Sequence, residues 1–153
     1  MEKEQVLAAF QDYEIYLASL NTSIKTDADA HVSIAEGKWS IAEIIMHLAE
    51  WDRFIREQRL PHIKEGQPVE NFPDLDAFNR TAVEPVARMS FSEVLAHAQK
   101  ERALLAKEIE EMDAAQWKTP FKTGGENTNA AAYFEGVVQH DTHHRQQIDA
   151  FLT

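Results

Sequence analysis

Through almost its whole length the chain places apolar residues three and four positions apart, the repeat of an α-helix with one buried face. The five glycines and five prolines mostly gather at breaks in that repeat: Gly37, the stretch from Pro61 to Pro73, Pro85, and Pro120 to Gly125. The first helix is expected over about Glu4–Leu20, with Val6, Leu7, Phe10, Tyr13, Leu17 and Leu20 on its stripe. A polar connection, Asp27–Lys38, follows it. Ser40 and Glu43 have the spacing of a capping box ahead of Ile44, Ile45 and Leu48, so a second helix is predicted from there to about Arg59, stopped by Pro61. Residues 61–89 are the least regular, with a short helix near Asp74–Val83 and an interruption at Pro85. A second capping box, Ser90 and Glu93, opens a long helix to about Met112 on the stripe Phe91, Leu95, Ala98, Leu105, Ile109, Met112. A loop over Thr119–Asn127 leads to a last helix from about Asn129 to Phe151. No alternating strand pattern with hairpin turns is found. The expected fold is all-α: one domain over residues 1–153, a four-helix bundle with a long crossover connection between helices 2 and 3.

Composition narrows the function classes. The formal charge is −11, which argues against nucleic acid and anionic membranes as partners, since both need a basic footprint. There is no cysteine, so disulfides, thiolate metal sites and a cysteine nucleophile are excluded. No apolar run approaches a membrane span, and the start lacks the apolar core of a secretory signal. A soluble, cytoplasmic protein is expected.

The seven histidines sort by position. His31, His62 and His97 read as solvated or edge residues. His47 shares a helical ridge with Ile44, Trp51 and Phe54; taken alone it reads as a hydrogen-bonded core histidine. In the last helix the angular position of each residue follows from the helical repeat. With His140 at the origin, His144 falls at about 40°, Tyr133 and Phe151 at about 20°, Val137 at about 60° and Ile148 at about 80°. His140 and His144 therefore occupy the middle of the buried stripe, with His143 at one edge and Asp141 at the other. Two histidines at i and i+4 on one face bring both imidazoles within reach of one ion. A third ligand must come from another helix, and His47 is the histidine on an inward ridge there. Three neutral imidazoles suit a divalent metal (Zn²⁺, Ni²⁺, Cu²⁺ or Fe²⁺) and leave a position open for water or substrate, as in catalytic sites.

Two segments carry a resemblance. Lys38–Asp52, KWSIAEIIMHLAEWD, resembles the W-S…E-I…H-L segment of the DinB-like (DinB/YfiT) superfamily, and Gln139–Ile148, QHDTHHRQQI, resembles its C-terminal H-x-x-x-H-R-x-Q-I/L segment. Asn79 in DAFNRTAVE matches an asparagine commonly seen in the family's middle region. The resemblance implies a damage-inducible, stress-related four-helix bundle, often a homodimer, with a divalent metal on His47, His140 and His144, zinc or nickel foremost. Members with known activity use small thiols: bacillithiol and glutathione S-transferases and a mycothiol-dependent maleylpyruvate isomerase.

The leading expectation is thus a metal-dependent thiol S-transferase whose partners are a small-molecule thiol and an electrophile. A coordinated thiol is deprotonated, whereas a free one is only a few per cent thiolate at neutral pH. The alternative is a metal-holding, stress-related dimer without turnover. A metallohydrolase is the third reading: HDTHH is similar to H-E-x-x-H with Asp141 in place of the base, but the downstream ligand of the metzincin form is absent. Asp141 and Gln147 are candidates to orient the imidazoles, Asp141 reading more readily as a solvated residue or the ion-pair partner of Arg145. Glu43 is assigned to the cap and Glu50 to a solvated face. Trp39, Trp51 and Trp117 read as packing anchors and Tyr13 and Tyr16 as core or interface residues. The run Glu108, Glu110, Glu111, Asp113 reads as solvated surface.

Overall fold

A computed structural model describes residues 1–70 and 74–153. Its long helices are α1 (Lys3–Ser23), α3 (Ile41–Phe54), α6 (Phe91–Glu111) and α8 (Ala130–Leu152), with shorter helices α2 (Asp27–Ala30), α4 (Leu60–Glu65), α5 (Leu75–Val83) and α7 (Ala114–Lys118) between them. Helix α6 packs against both α3 and α1, while α8 packs against α1 and α3, so α1 and α3 lie diagonally across a four-helix bundle. The long connection between α3 and α6 carries α4, α5 and a 3₁₀ turn, Glu84–Arg88, in which Pro85 is accommodated. Pro73, read as one of the breaks in this region, lies outside the described residues.

Both capping boxes form. The Glu43 and Glu93 N–H groups donate to Ser40 and Ser90 Oγ, and each serine N–H donates back to the glutamate carboxylate. Two expectations need correction. Pro61 does not stop the second helix: five residues, Ile55–Arg59, wind as a π-helical stretch, with the Leu60 N–H bonded to the Ile55 carbonyl, and α4 starts at once. Pro61 sits in the first turn of α4, where its missing N–H removes no intrahelical bond. The Thr119–Asn127 loop contains a hairpin, β1 (Phe121–Thr123) with β2 (Glu126–Thr128), in the register Phe121 to Thr128. Gly124 and Gly125, at φ 59° and 82°, supply the two positive φ values of its two-residue turn.

The interior holds two apolar clusters. One gathers Leu17, Leu20, Ile45, Leu48, Val94 and Ile148 and the other Phe10, Ile55, Leu105, Ile109, Trp117 and Phe134. Between them each long helix turns a polar group inward: the Tyr13 hydroxyl from α1, Asp52 from α3, Glu101 and Arg102 from α6, and Asp141 from α8. This polar layer crosses the bundle at mid-height and positions the site.

Candidate metal centre

Arg102 is the anchor of that layer. It has no solvent exposure and forks onto two carboxylates: Nε and Nη2 donate to Asp52 at 2.7 and 3.1 Å, and Nη1 and Nη2 to Asp141 at 2.7 and 2.9 Å. Its guanidinium stacks over the α1 rings of Phe10, at 4.3 Å, and Tyr13, at 4.0 Å. Burial works against the Arg102 charge, but the two carboxylates outweigh it and hold the group well above its ordinary pKa. All four long helices are therefore tied at one level. Asp141 is not a solvated residue or a partner of Arg145. It is buried on Arg102, and Arg145 instead lies 4.4 Å over the Tyr16 ring. Tyr13 and Tyr16 both point elsewhere than the cavity, Tyr16 donating to Asp149.

Beside the layer, His47 from α3 and His140 and His144 from α8 converge. Each offers one ring nitrogen, and these atoms lie within 4.8 Å of one another. The Nε2 atoms of His140 and His144 are 3.1 Å apart, close to the ~3.3 Å edge of a tetrahedron of nitrogens bound at about 2.0–2.1 Å from zinc. His144 Nδ1 is 2.8 Å from Gln147 Oε1, an acceptor, so Nδ1 carries the proton and Nε2 presents a lone pair toward His140. Gln147 thus fills the orienting role expected of it and Asp141 does not. His47 is buried under the Trp39 ring, 4.9 Å between centroids, and its Nδ1 has no hydrogen-bond partner among the described residues. Burial, then the neighbouring His144 and His140, lowers the His47 pKa to about 4, with the nearby Asn79 side chain opposing. Burial likewise lowers His140 and His144. Three imidazoles held neutral, each with a ring nitrogen close to the other two, form a donor set of the kind a divalent ion takes.

The cluster opens into a cavity of about 620 Å³ walled by α3, the π-helical stretch, α5 and α8. Trp39, Trp51, Leu75, Tyr133 and Val137 give it an apolar lining. Trp39 and Trp51 therefore border the site, while Trp117 stacks on Phe134 in the core, as read from the sequence. Asn79 brings a side-chain amide from α5, placed against His47. His143 stands on the cavity rim, next to the cluster. Arg59, which the sequence did not single out, enters from the π-helical stretch; its Nη1 donates to the Tyr133 hydroxyl at 2.8 Å. Burial raises the Tyr133 pKa, with Arg59 opposing it. No Asp or Glu is among the described residues lining the cavity.

The remaining histidines lie away from this cluster. His31 contacts the carbonyls of Asp27 and Met89, and His62 contacts Gln67. His97 is not simply solvated: its Nε2 is 2.8 Å from Glu50, which is correspondingly a cross-helix partner and not a solvated-face residue. Within the acidic run, Asp113 caps α7 by accepting from Gln116 N–H, and Glu108 pairs with Lys64.

The profile of the DinB superfamily matches residues 5–148. No curated protein matches the chain. Among solved structures, YfiT from Bacillus subtilis is similar, with a TM-score of 0.74 at 21% identity over 99% of this chain and 87% of that one. It is described as a probable metal-dependent hydrolase with an unusual four-helix bundle topology. A likeness at that identity speaks to the fold, and the profile match over nearly the whole sequence to the family: the chain belongs to the DinB superfamily.

Proposed function

We propose that the chain is a metal-dependent enzyme acting on a small molecule, with a divalent ion held by His47, His140 and His144 and a thiol S-transfer as its reaction. The carrying observation is the pairing of a three-imidazole cluster with a cavity lining that offers no carboxylate base among the described residues. A divalent ion at this point supplies Lewis acidity, which lowers a coordinated thiol's pKa far enough to make it a thiolate without a base. The protein's own part is to hold three neutral donors, to fix the His144 tautomer through Gln147, and to offer an apolar chamber for thiol and acceptor.

Hydrolysis is the second reading, supported by the description given to YfiT. The residue that HDTHH places where a peptidase base would stand, Asp141, is locked on Arg102 outside the cavity lining, which weighs against the peptidase form. The test is a panel of low-molecular-weight thiols with 1-chloro-2,4-dinitrobenzene, beside p-nitrophenyl esters, on zinc- and nickel-loaded protein. In the first assay a sulfur–carbon bond forms, chloride leaves and the thiol proton passes to buffer. Conjugation above the uncatalysed rate that disappears in His144→Ala supports S-transfer. Ester cleavage with no conjugation overturns it in favour of hydrolysis. Tight metal retention with neither activity leaves the non-catalytic metal-holding protein.

A further inference from the structure

The cavity lining that holds the histidines also carries a cation. Arg59 is 9% exposed, a depth at which arginine is seldom found. Its guanidinium lies beside a cluster of rings, 5.2 Å from the centroids of Trp51 and Phe54 and 5.9 Å from that of Tyr133. These ring contacts and the bond to Tyr133 limit the directions open to a side chain that is otherwise flexible. The same residue lines the cavity, and so do Trp51 and Tyr133. The Tyr133 hydroxyl accepts its bond from Arg59 Nη1, so its own proton is left to donate to something else. Guanidinium and phenol together form a donor pair in an aromatic chamber whose described lining has no carboxylate.

We propose that Arg59 and Tyr133 form an anion subsite, and that the cavity's ligand is a small carboxylate with an apolar body: the carboxylate on this pair, the body against Trp51, Trp39 and Leu75. This rests on reading the cavity as the substrate chamber of the metal site. A neutral molecule of the same shape brings no charge to the pair and binds less well, because hydrogen bonds to charged groups are the strong ones and gain further in a desolvated site.

Matched probes test this: 3-phenylpropionate and 3-phenyl-1-propanol, titrated calorimetrically into chelator-stripped and zinc-loaded protein, with zinc uptake measured separately. In stripped wild type the acid is expected to bind tighter than the alcohol by about tenfold or more. Arg59→Gln should erase that preference while leaving zinc uptake unchanged. Arg59→Lys, which keeps the charge if the glutamine variant proves misfolded, should retain part of it. Equal affinity for acid and alcohol in stripped wild type, or an undiminished preference in a folded Arg59→Gln, overturns the subsite. Failure of the wild type to take up zinc strikes instead at the metal reading, since the stripped-protein comparison does not depend on the ion.

Discussion

Arg102 and the two carboxylates it holds show what a single buried charge does when its partners come from other helices. Asp52 and Asp141 lie 50 and 39 residues away in sequence, on α3 and α8. Removing the guanidinium alone leaves two carboxylates facing each other out of water, so Arg102→Met should cost about 3–5 kcal/mol in urea unfolding. Replacing all three together by apolar residues of similar volume should cost far less, and equal losses for the two variants would contradict the ion-pair account. Two of the three charges were legible in principle: Arg102 continues the stripe of Ala98, Leu105 and Ile109, and Asp52 that of Leu48 on α3 and Ile55 just beyond it. Local pairing along one helix, Asp141 with Arg145, hid the third, because sequence spacing displays i,i+4 neighbours and conceals partners across a bundle. The histidines were easier to find, since an imidazole on an apolar stripe has no local partner to explain it. Gln147→Ala, which frees His144 Nδ1, should weaken metal affinity by about 10–100-fold in a competitive zinc titration while His97→Ala leaves it unchanged.

Among the elements, those with a strong local signal were readable and those made by tertiary pairing were not. The Ser40–Glu43 and Ser90–Glu93 boxes fixed two helix starts, because cap and helix are written in four consecutive residues. Ser40→Ala should lose about 1 kcal/mol of unfolding free energy; no loss would mean the cap bond is replaced by another acceptor. The hairpin escaped because three-residue strands are too short to show alternation, and part of their support comes from Val69, whose N–H donates to the distant Lys122 carbonyl. The π-helical stretch escaped for a different reason. Ile55–Arg59 has an ordinary helical composition, and the extra residue per turn shows only in hydrogen bonding. That stretch delivers Arg59 to the cavity, so the missed element and the missed residue have one cause.

At the scale of the whole molecule, the bundle keeps the His47, His140 and His144 side chains neutral by burying them, which links stability to pH. With the folded His47 pKa at about 4 against an ordinary 6.5, the unfolded chain takes up the proton first. The His47 contribution to the stability of the metal-free protein therefore rises with pH across that window and is lost on acidification from about pH 6.5 to 4, by up to about 3 kcal/mol, while Asp52, pushed up by burial to about 6, contributes in the opposite sense. His140 and His144 add in the same direction as His47. Urea midpoints of the wild type and of His47→Ala, taken at intervals across the window, isolate the His47 part, and parallel profiles for the two would contradict it. Metal binding should raise the midpoint, by about 2.7 kcal/mol at one hundred times its Kd, and the gain should shrink with acid as protons compete for the same nitrogens. No described helix is long and apolar enough to cross a membrane. The most direct test of the account is an anomalous difference map from a zinc-soaked crystal at the zinc edge. One peak bonded by His47, His140 and His144 together, with room on its cavity side, is the predicted result. Rings turned apart with no peak between them, or zinc bound by one or two of them at the surface, would contradict it.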